Sequence, residues 1–156
     1  MSDESTKRAA QEYLASRIAE ENQTLEGRLN AEAAVELAPL VWKRVNESLI
    51  AKCKEWNAVT NEQTLTGKET ILGDIRVWCT STAQQMTVHY DSKQRLVTVK
   101  NSARADHEKD IVLRIEGYAT ETGRQAQLVR NKEAINIDTL ILGQLRVLTG
   151  LGRQSG

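Results

Sequence analysis

The stretch that decides the fold runs from Pro39 to Trp56 and reads PLVWKRVNESLIAKCKEW. Its large apolar residues recur at steps of three and four, the spacing that places side chains along one face of an α-helix. They are Trp42, Val45, Leu49, Cys53 and Trp56. Proline has no amide hydrogen to donate and suits the first turn of a helix, so we expect this helix to begin at Pro39. The apolar stripe must be covered by another part of the chain.

The segments that follow alternate between apolar and polar residues, which is the pattern of strands in an antiparallel sheet with one buried face. Residues 57–68, with two asparagines and a glycine, are interpreted as a loop that leads into the sheet. We predict five strands, at residues 70–80, 85–90, 95–100, 111–119 and 124–130. In the second hairpin, pairing Tyr90 with Arg95 across a polar turn would place Val88 opposite Val97.

The last apolar segment, Asp138–Gly150, is predicted to be a helix with Asp138 as its N-cap and Gly150 just beyond its end. A buried strand over residues 140–148 is the alternative. Such an apolar helix would lie either centrally in the domain or at a subunit interface. The expected fold class is therefore α+β: N-terminal helices, a roughly five-stranded antiparallel meander sheet packed on the Pro39–Trp56 helix, and a C-terminal helix.

Residues 1–36 are predicted to form an acidic helical arm, broken near Gly27. Eight acidic and four basic residues occur in it. Its apolar strip is narrow and consists of Tyr13, Leu14, Ile18, Leu25 and Leu29. Such an arm either half-packs on its own domain or projects toward another subunit or partner. We expect residues 37–150 to form a single α+β domain and residues 151–156 to be a flexible tail.

Composition excludes several classes of function. The 156 residues carry a net charge of zero with a pI of about 6.7, which argues against nucleic-acid binding. The chain has no phosphate-binding glycine loop, no Gly-x-Ser-x-Gly, no His-Glu-x-x-His and no Cys-x-x-Cys. We therefore expect no enzyme built on those parts, no cofactor and no metal.

The expected location of the protein and the redox state of its cysteines are inferred from the absence of a signal region, a membrane span and a cysteine-rich pattern. Residues 1–8 lead into no apolar signal region, and no apolar run reaches the length of about 18 residues that a membrane span needs. We expect no membrane partner and a cytoplasmic location. Cys53 and Cys79 are interpreted as two reduced core thiols, with a bridge between them as the alternative.

Two sets of residues are candidates for binding. The first is a mixed aromatic and polar surface on the outer face of the sheet, formed by Trp78, His89, Tyr118, Arg76 and Arg114. The second is the lining of a cavity between the organising helix and the sheet, formed by Trp42, Trp56 and Tyr90. The charged loop at residues 101–110, with Asp106, His107 and Glu108, is interpreted as solvated rather than as a metal site.

The sequence thus predicts a non-catalytic cytoplasmic protein-interaction or adaptor module, self-associating as a homodimer, with the acidic arm and the outer sheet face as contact surfaces. The alternative is a small-molecule-binding cup or minor enzyme with a cavity between helix and sheet. Single-stranded nucleic acid stacked on Trp78 and Tyr118 is the third hypothesis, which the balanced charge disfavours.

Overall fold

The architecture is that of two helices on one face of a meander sheet. A computed structural model describes residues 2–71, 73–104 and 110–151. Of the predicted tail, only Leu151 lies within these ranges. The elements in chain order are α1 (Ser2–Thr60), β1 (Leu65–Glu69), β2 (Ile75–Cys79), β3 (Gln84–Asp91), β4 (Leu96–Asn101), β5 (Ile111–Thr120), β6 (Gly123–Arg130), β7 (Glu133–Ile135) and α2 (Ile137–Leu148).

Helix α1 is a single element of 59 residues that runs through both predicted breaks. The prediction that a new helix begins at Pro39 is wrong, as is the predicted break near Gly27. A proline within a helix leaves the carbonyl four residues earlier without its usual amide partner. Here that residue is Val35, which is exposed, so water can reach this side of the helix. Gly27 costs the helix only about 1 kcal/mol relative to alanine.

The seven strands form one antiparallel sheet in which spatial order equals chain order. The α+β class is confirmed, but the sheet has seven strands rather than five. The two missed strands are the edge strands. In β1, only Leu65 has a buried side chain, because the strand lies at the edge and its other side chains face solvent. Strand β7 has only three residues. Neither strand produces a readable apolar alternation.

The segment between β1 and β2 is a turn and not the start of a strand. The amide of Thr70 donates to the carbonyl of Asp74 at 2.7 Å, and the amide of Gly73 donates back to the carbonyl of Thr70 at 3.0 Å. Gly73 has a φ of 86°, a conformation that glycine adopts without strain. The predicted first strand therefore begins five residues late, at Ile75.

The predicted hairpin of β3 and β4 exists, with a register shifted by two residues. Tyr90 pairs with Val97 and Val88 pairs with Val99, so Arg95 falls within the turn at a φ of 56°. A shift of two keeps every side chain on its predicted face, because side chains alternate with a period of two. The core face was therefore predicted correctly and the pairing was not.

The core lies between the sheet and the two helices. Within the predicted stripe of α1, Val45, Leu49 and Cys53 are buried, and Trp42 and Trp56 pack against the edge of the core. Helix α1 packs mainly on β5 and β6. The sheet contributes the residues Leu65, Ile75, Val77, Cys79, Met86, Val88, Val97, Val99, Ile111, Leu113, Ile115, Ala126 and Leu128. The opposite face of the sheet is open to solvent.

The predicted C-terminal helix is confirmed: it is α2, which lies centrally in the domain. Ile141, Leu145 and Leu148 are buried in the same core as α1. Its N-cap is Asn136, whose side chain accepts a hydrogen bond from the amide of Thr139, and not Asp138 as predicted. No helix in the described ranges is both long enough and apolar enough to cross a membrane.

Candidate interaction surfaces

The first candidate surface is the N-terminal part of α1, which projects beyond the sheet. Every residue from 4 to 28 is exposed, so this projecting segment extends for about 37 Å at 1.5 Å per residue. The exposed fractions are 65% for Tyr13, 54% for Leu14, 55% for Ile18 and 44% for Leu25. Of the predicted arm, residues 29–36 do not project, since Ala33 and Ala34 are buried against the sheet.

The base of the projecting segment is held to β6 by one arginine. Arg124 donates from Nη2 to Glu26 Oε1 at 2.9 Å and from Nη1 to the side-chain oxygen of Asn30. The hydrogen bond and the charge of Arg124 lower the pKa of Glu26. The helix therefore leaves the sheet at a fixed point and in a fixed orientation.

The apolar strip of the projecting segment is turned away from its own domain. The side chains of Glu26 and Asn30 contact β6. Leu25 and Leu29 are the residues immediately before them in the sequence. Successive residues of an α-helix are about 100° apart around its axis, so the strip lies about that far from the face that contacts the sheet. We define the arm strip as Leu14, Ile18, Leu25 and Leu29. Three residues of the arm strip, Leu14, Ile18 and Leu25, lie on the projecting segment, and no other described residue covers them.

The second candidate surface is a depression of about 480 Å³ on the outer face of the sheet. It contains Arg76 and His89 from the predicted binding surface. His89 Nδ1 is in hydrogen-bond contact with Asp74 Oδ1, and the guanidinium of Arg76 lies 5.5 Å from the ring centroid of Trp78. The described residues that line it are Asp74, Arg76, Thr87, His89, Thr98, Lys100 and Asp110.

Among the described residues, two basic and two acidic side chains line this depression: Arg76, Lys100, Asp74 and Asp110. Lys100 Nζ lies 3.8 Å from Asp110 Oδ2, and His89 contacts Asp74. Arg76 Nε is buried and finds no acceptor among the described residues. In the register of the sheet, Arg76 is paired with Lys68 of β1. Lys68 was not predicted to lie beside this surface, because the sequence predicts a loop at residues 57–68.

The other two predicted surface residues lie elsewhere on the sheet. Arg114 and Tyr118 are on β5, three strands from β2. Counted through the paired registers, Tyr118 lies ten positions along the strand direction from Trp78, which is about 33 Å. All five residues share the outer face, but only Arg76, Trp78 and His89 lie close together.

The structure does not place the three predicted cavity rings around one space. Trp42 and Tyr90 stack with ring centroids 5.4 Å apart. Trp56 is 14 residues further along α1, and lies in an open groove of about 460 Å³ with Val59 and Leu142. The space between α1, α2 and the sheet is only about 10 Å³, close to the minimum for a single water molecule.

Neither candidate surface contains a cysteine or a metal-binding cluster among the described residues. Both cysteines are free thiols and buried. Burial raises the pKa of Cys53 to about 11; for Cys79, burial opposes hydrogen bonds from Ser81 and Thr82, which lower its pKa overall. Across residues 2–71, 73–104 and 110–151, no three His, Cys, Asp or Glu side chains could hold a metal ion together. Asp106, His107 and Glu108 lie outside the described residues.

Comparisons of the chain with protein-family models, curated protein sequences and solved structures find no match.

Proposed function

We propose that this chain is a non-catalytic protein-interaction module of the cytoplasm that self-associates as a homodimer, with the projecting segment of α1 as its contact element. The observation that carries the proposal is the arm strip. Three of its four side chains, Leu14, Ile18 and Leu25, are 44–55% exposed on a helix that its own domain holds only at the base.

Exposed apolar side chains on an isolated helix favour a partner helix. An isolated helix in water gains little from its own hydrogen bonds, and most helical stability in proteins comes from packing an apolar face. The ion pairs at the surface of this segment, such as Arg17–Glu21 at 3.5 Å, are exposed pairs that contribute roughly 0.3–0.5 kcal/mol each. A second helix on the strip would supply the packing that the domain does not.

The shape of the strip also favours a helix as the partner. Its side chains recur at four, seven and four residues, so they form a seam along the helix rather than a broad patch. Narrow seams of this kind are used in coiled coils and in helix-in-groove recognition. The two free thiols, Cys53 and Cys79, agree with a reducing compartment such as the cytoplasm.

Sedimentation velocity of the full chain over a range of concentrations tests the proposal. The expected result is a dimer whose dissociation constant rises at least tenfold in the variant Leu14→Gln/Ile18→Gln. Glutamine keeps the helix propensity close to that of leucine, so the helix itself should persist. Far-UV circular dichroism of the same samples checks this.

The matched control is Val59→Gln/Ile71→Gln, which replaces two exposed apolar residues far from the strip. The control should dimerise like the unmodified chain. A chain that stays monomeric at every concentration, or a dimer that both double variants weaken equally, would contradict the proposal. Native mass spectrometry of the same preparation would reveal a bound small molecule and so support the alternative of a ligand-binding cup.

A further inference from the structure

We propose that the arm strips of two copies pair antiparallel, with the two-fold axis passing between Glu21 and Asn22 of each helix. This inference rests on the proposed function and specifies its geometry. It assigns Leu14 of one copy to Leu29 of the other, and Ile18 to Leu25.

The spacing of the strip is the same from both ends. From Leu14 to Leu29 the intervals are four, seven and four residues. A two-fold axis perpendicular to two antiparallel helices pairs each residue with the one at an equal distance on the other side of the axis. The symmetric spacing therefore brings all four apolar residues of each helix opposite an apolar residue. A register shifted by four residues would leave Ile18 opposite Glu21 or Leu25 opposite Asn22.

Spacing alone does not choose between parallel and antiparallel pairing, because in a parallel pair each apolar residue would lie opposite its own copy. The distribution of charge along the helix makes the choice. On the two sides of the axis, residues 7–21 carry three acidic and three basic side chains, whereas residues 22–36 carry three glutamates and one arginine. Parallel helices would place the two acidic halves side by side. Antiparallel helices place each acidic half beside the half that contains Lys7, Arg8 and Arg17, which removes this repulsion.

The outer ends of the pairing match by charge. With the axis between residues 21 and 22, Lys7 of one copy lies opposite Glu36 of the other, and the pair occurs twice. Both residues are exposed in the described structure. In a parallel pair, Lys7 would approach the other Lys7 and Glu36 the other Glu36. The antiparallel arrangement converts two like-charge contacts into two attractive ones.

The residue nearest the axis is compatible with this geometry. Glu21 lies on the seam beside the axis, opposite Asn22 of the second copy. Each Glu21 carries its own counter-charge, because Arg17 Nε lies 3.5 Å from Glu21 Oε1 on the same helix. Asn22 lies beside it and can donate hydrogen bonds to either carboxylate. A polar pair at a single seam position is a known means of fixing register at some cost in stability.

The domain leaves room for the second helix. The paired region spans residues 7–36 of each copy, about 45 Å at 1.5 Å per residue. Along the same side of α1, beyond the paired region, Leu40, Lys43 and Glu47 are all exposed, so neither β5 and β6 nor α2 covers that side. The two domains then lie at opposite ends of the paired helices.

Disulfide trapping tests the orientation. Two full-length variants, Leu14→Cys and Leu29→Cys, are oxidised separately and as a mixture in which one carries an affinity tag. Antiparallel pairing predicts a mixed disulfide dimer in the mixture and no cross-link for either variant alone, because two copies of residue 14 would be about 22 Å apart. A cross-link of Leu14→Cys with itself would overturn the antiparallel geometry. The buried native thiols make the unmodified chain the control.

A charge exchange at the ends provides an independent test by sedimentation at low salt. Lys7→Glu and Glu36→Lys should each weaken the dimer by about threefold to tenfold, the scale expected for two surface contacts. The double variant Lys7→Glu/Glu36→Lys should recover the original affinity to within about twofold. A double variant weaker than either single one would contradict the pairing. A dimer that fails these two tests leaves self-association intact, whereas a monomer removes the proposed function itself.

Discussion

The backbone carbonyl oxygen of Asn30 lies 2.2 Å from the position that a β-carbon on Gly117 would occupy. The β-carbon of Ala33 is also close, at 3.0 Å from the same position. Helix α1 therefore rests directly on the backbone of β5, with no side chain between them. Arg124 donates to the side chain of Asn30 at this contact and to Glu26 one helical turn earlier, so a close backbone approach and a charged hydrogen bond together fix the angle at which the projecting segment leaves the domain.

Gly117→Ala should disturb this contact. A methyl group at that position cannot fit beside a backbone carbonyl, so the helix must shift, and we expect a loss of about 1–3 kcal/mol in the free energy of unfolding. The control is Gly143→Ala in α2, where a β-carbon meets nothing within 4 Å. The control should be neutral or stabilise by up to about 1 kcal/mol. Urea denaturation measures both, and equal effects would show that the predicted clash is absent.

Leu49→Ala should be among the most damaging single changes in α1. Leu49 is fully buried, and removing a buried leucine side chain usually costs about 2–5 kcal/mol. The adjacent Ile50 is 43% exposed, so Ile50→Ala should cost much less, below about 1 kcal/mol. Thermal unfolding of the two variants compares them directly. A similar cost at both positions would mean that the buried face of α1 is wrongly assigned.

Asn101→Ala tests a buried polar link between β4 and α2. The Asn101 side chain is 2% exposed and donates to the carbonyl of Gln144 at 3.1 Å, while its oxygen accepts from the amide of Ala103 at 3.1 Å. Losing these bonds and leaving buried groups unsatisfied should cost about 1–3 kcal/mol. Lys100→Ala on the exposed side of the same strand should cost less than about 1 kcal/mol. Chemical denaturation decides, and a neutral Asn101→Ala would refute the link.

The contact between Arg124 and Glu26 should depend on pH. Arg124 lowers the pKa of Glu26, so its stabilising effect is present above the ordinary pKa of a glutamate and is lost as pH falls through the lowered value. The stability difference between the unmodified chain and Arg124→Gln should therefore shrink as the pH falls from about 7 toward about 3. Arg130→Gln, at an exposed position at the end of the same strand, is the control. A difference that does not change with pH would exclude the ion pair.

The sequence predicted the parts of the fold that depend on burial. Val45, Leu49 and Cys53 were found because a buried helix face repeats every 3.6 residues. The same reasoning failed at Pro39, where the helix continues because the affected carbonyl belongs to exposed Val35. A hydrophobic pattern reports which residues are buried and does not report whether solvent can satisfy a backbone group.

Strand pairing was harder to predict than strand faces. Two registers of the β3–β4 hairpin bury the same residues, and the choice between them depends on the turn. There the side chain of Asp91 accepts hydrogen bonds from the amides of Lys93 and Gln94 at 3.0 and 3.1 Å. This local geometry, with Arg95 at a positive φ, places the turn at residues 92–95 rather than 91–94. No apolar alternation encodes it.

The candidate surfaces were predicted in part for the same reason. The outer face of the sheet follows from alternation, so Arg76, Trp78 and His89 were found. Their neighbour Lys68 depends on the β1–β2 hairpin, which the sequence did not reveal. The separation of Tyr118 from Trp78 required the complete register of the intervening strands. Projection of residues 4–28 beyond the sheet depends on where α1 meets β5 and β6, which is a tertiary property.

The meander order of the sheet has a consequence for how the chain folds during synthesis. Each strand can pair with the one made just before it, so the sheet can grow by successive hairpins with little loop-closure cost. Helix α1 is made first, but β5 and β6, which cover it, are made about 60 to 90 residues later. At translation rates of about 5–20 residues per second, the buried face of α1, which includes Val45 and Leu49, stays without its cover for several seconds. Docking of α1, rather than formation of the sheet, is therefore the step at which a ribosome-bound chain is most open to aggregation and to chaperones.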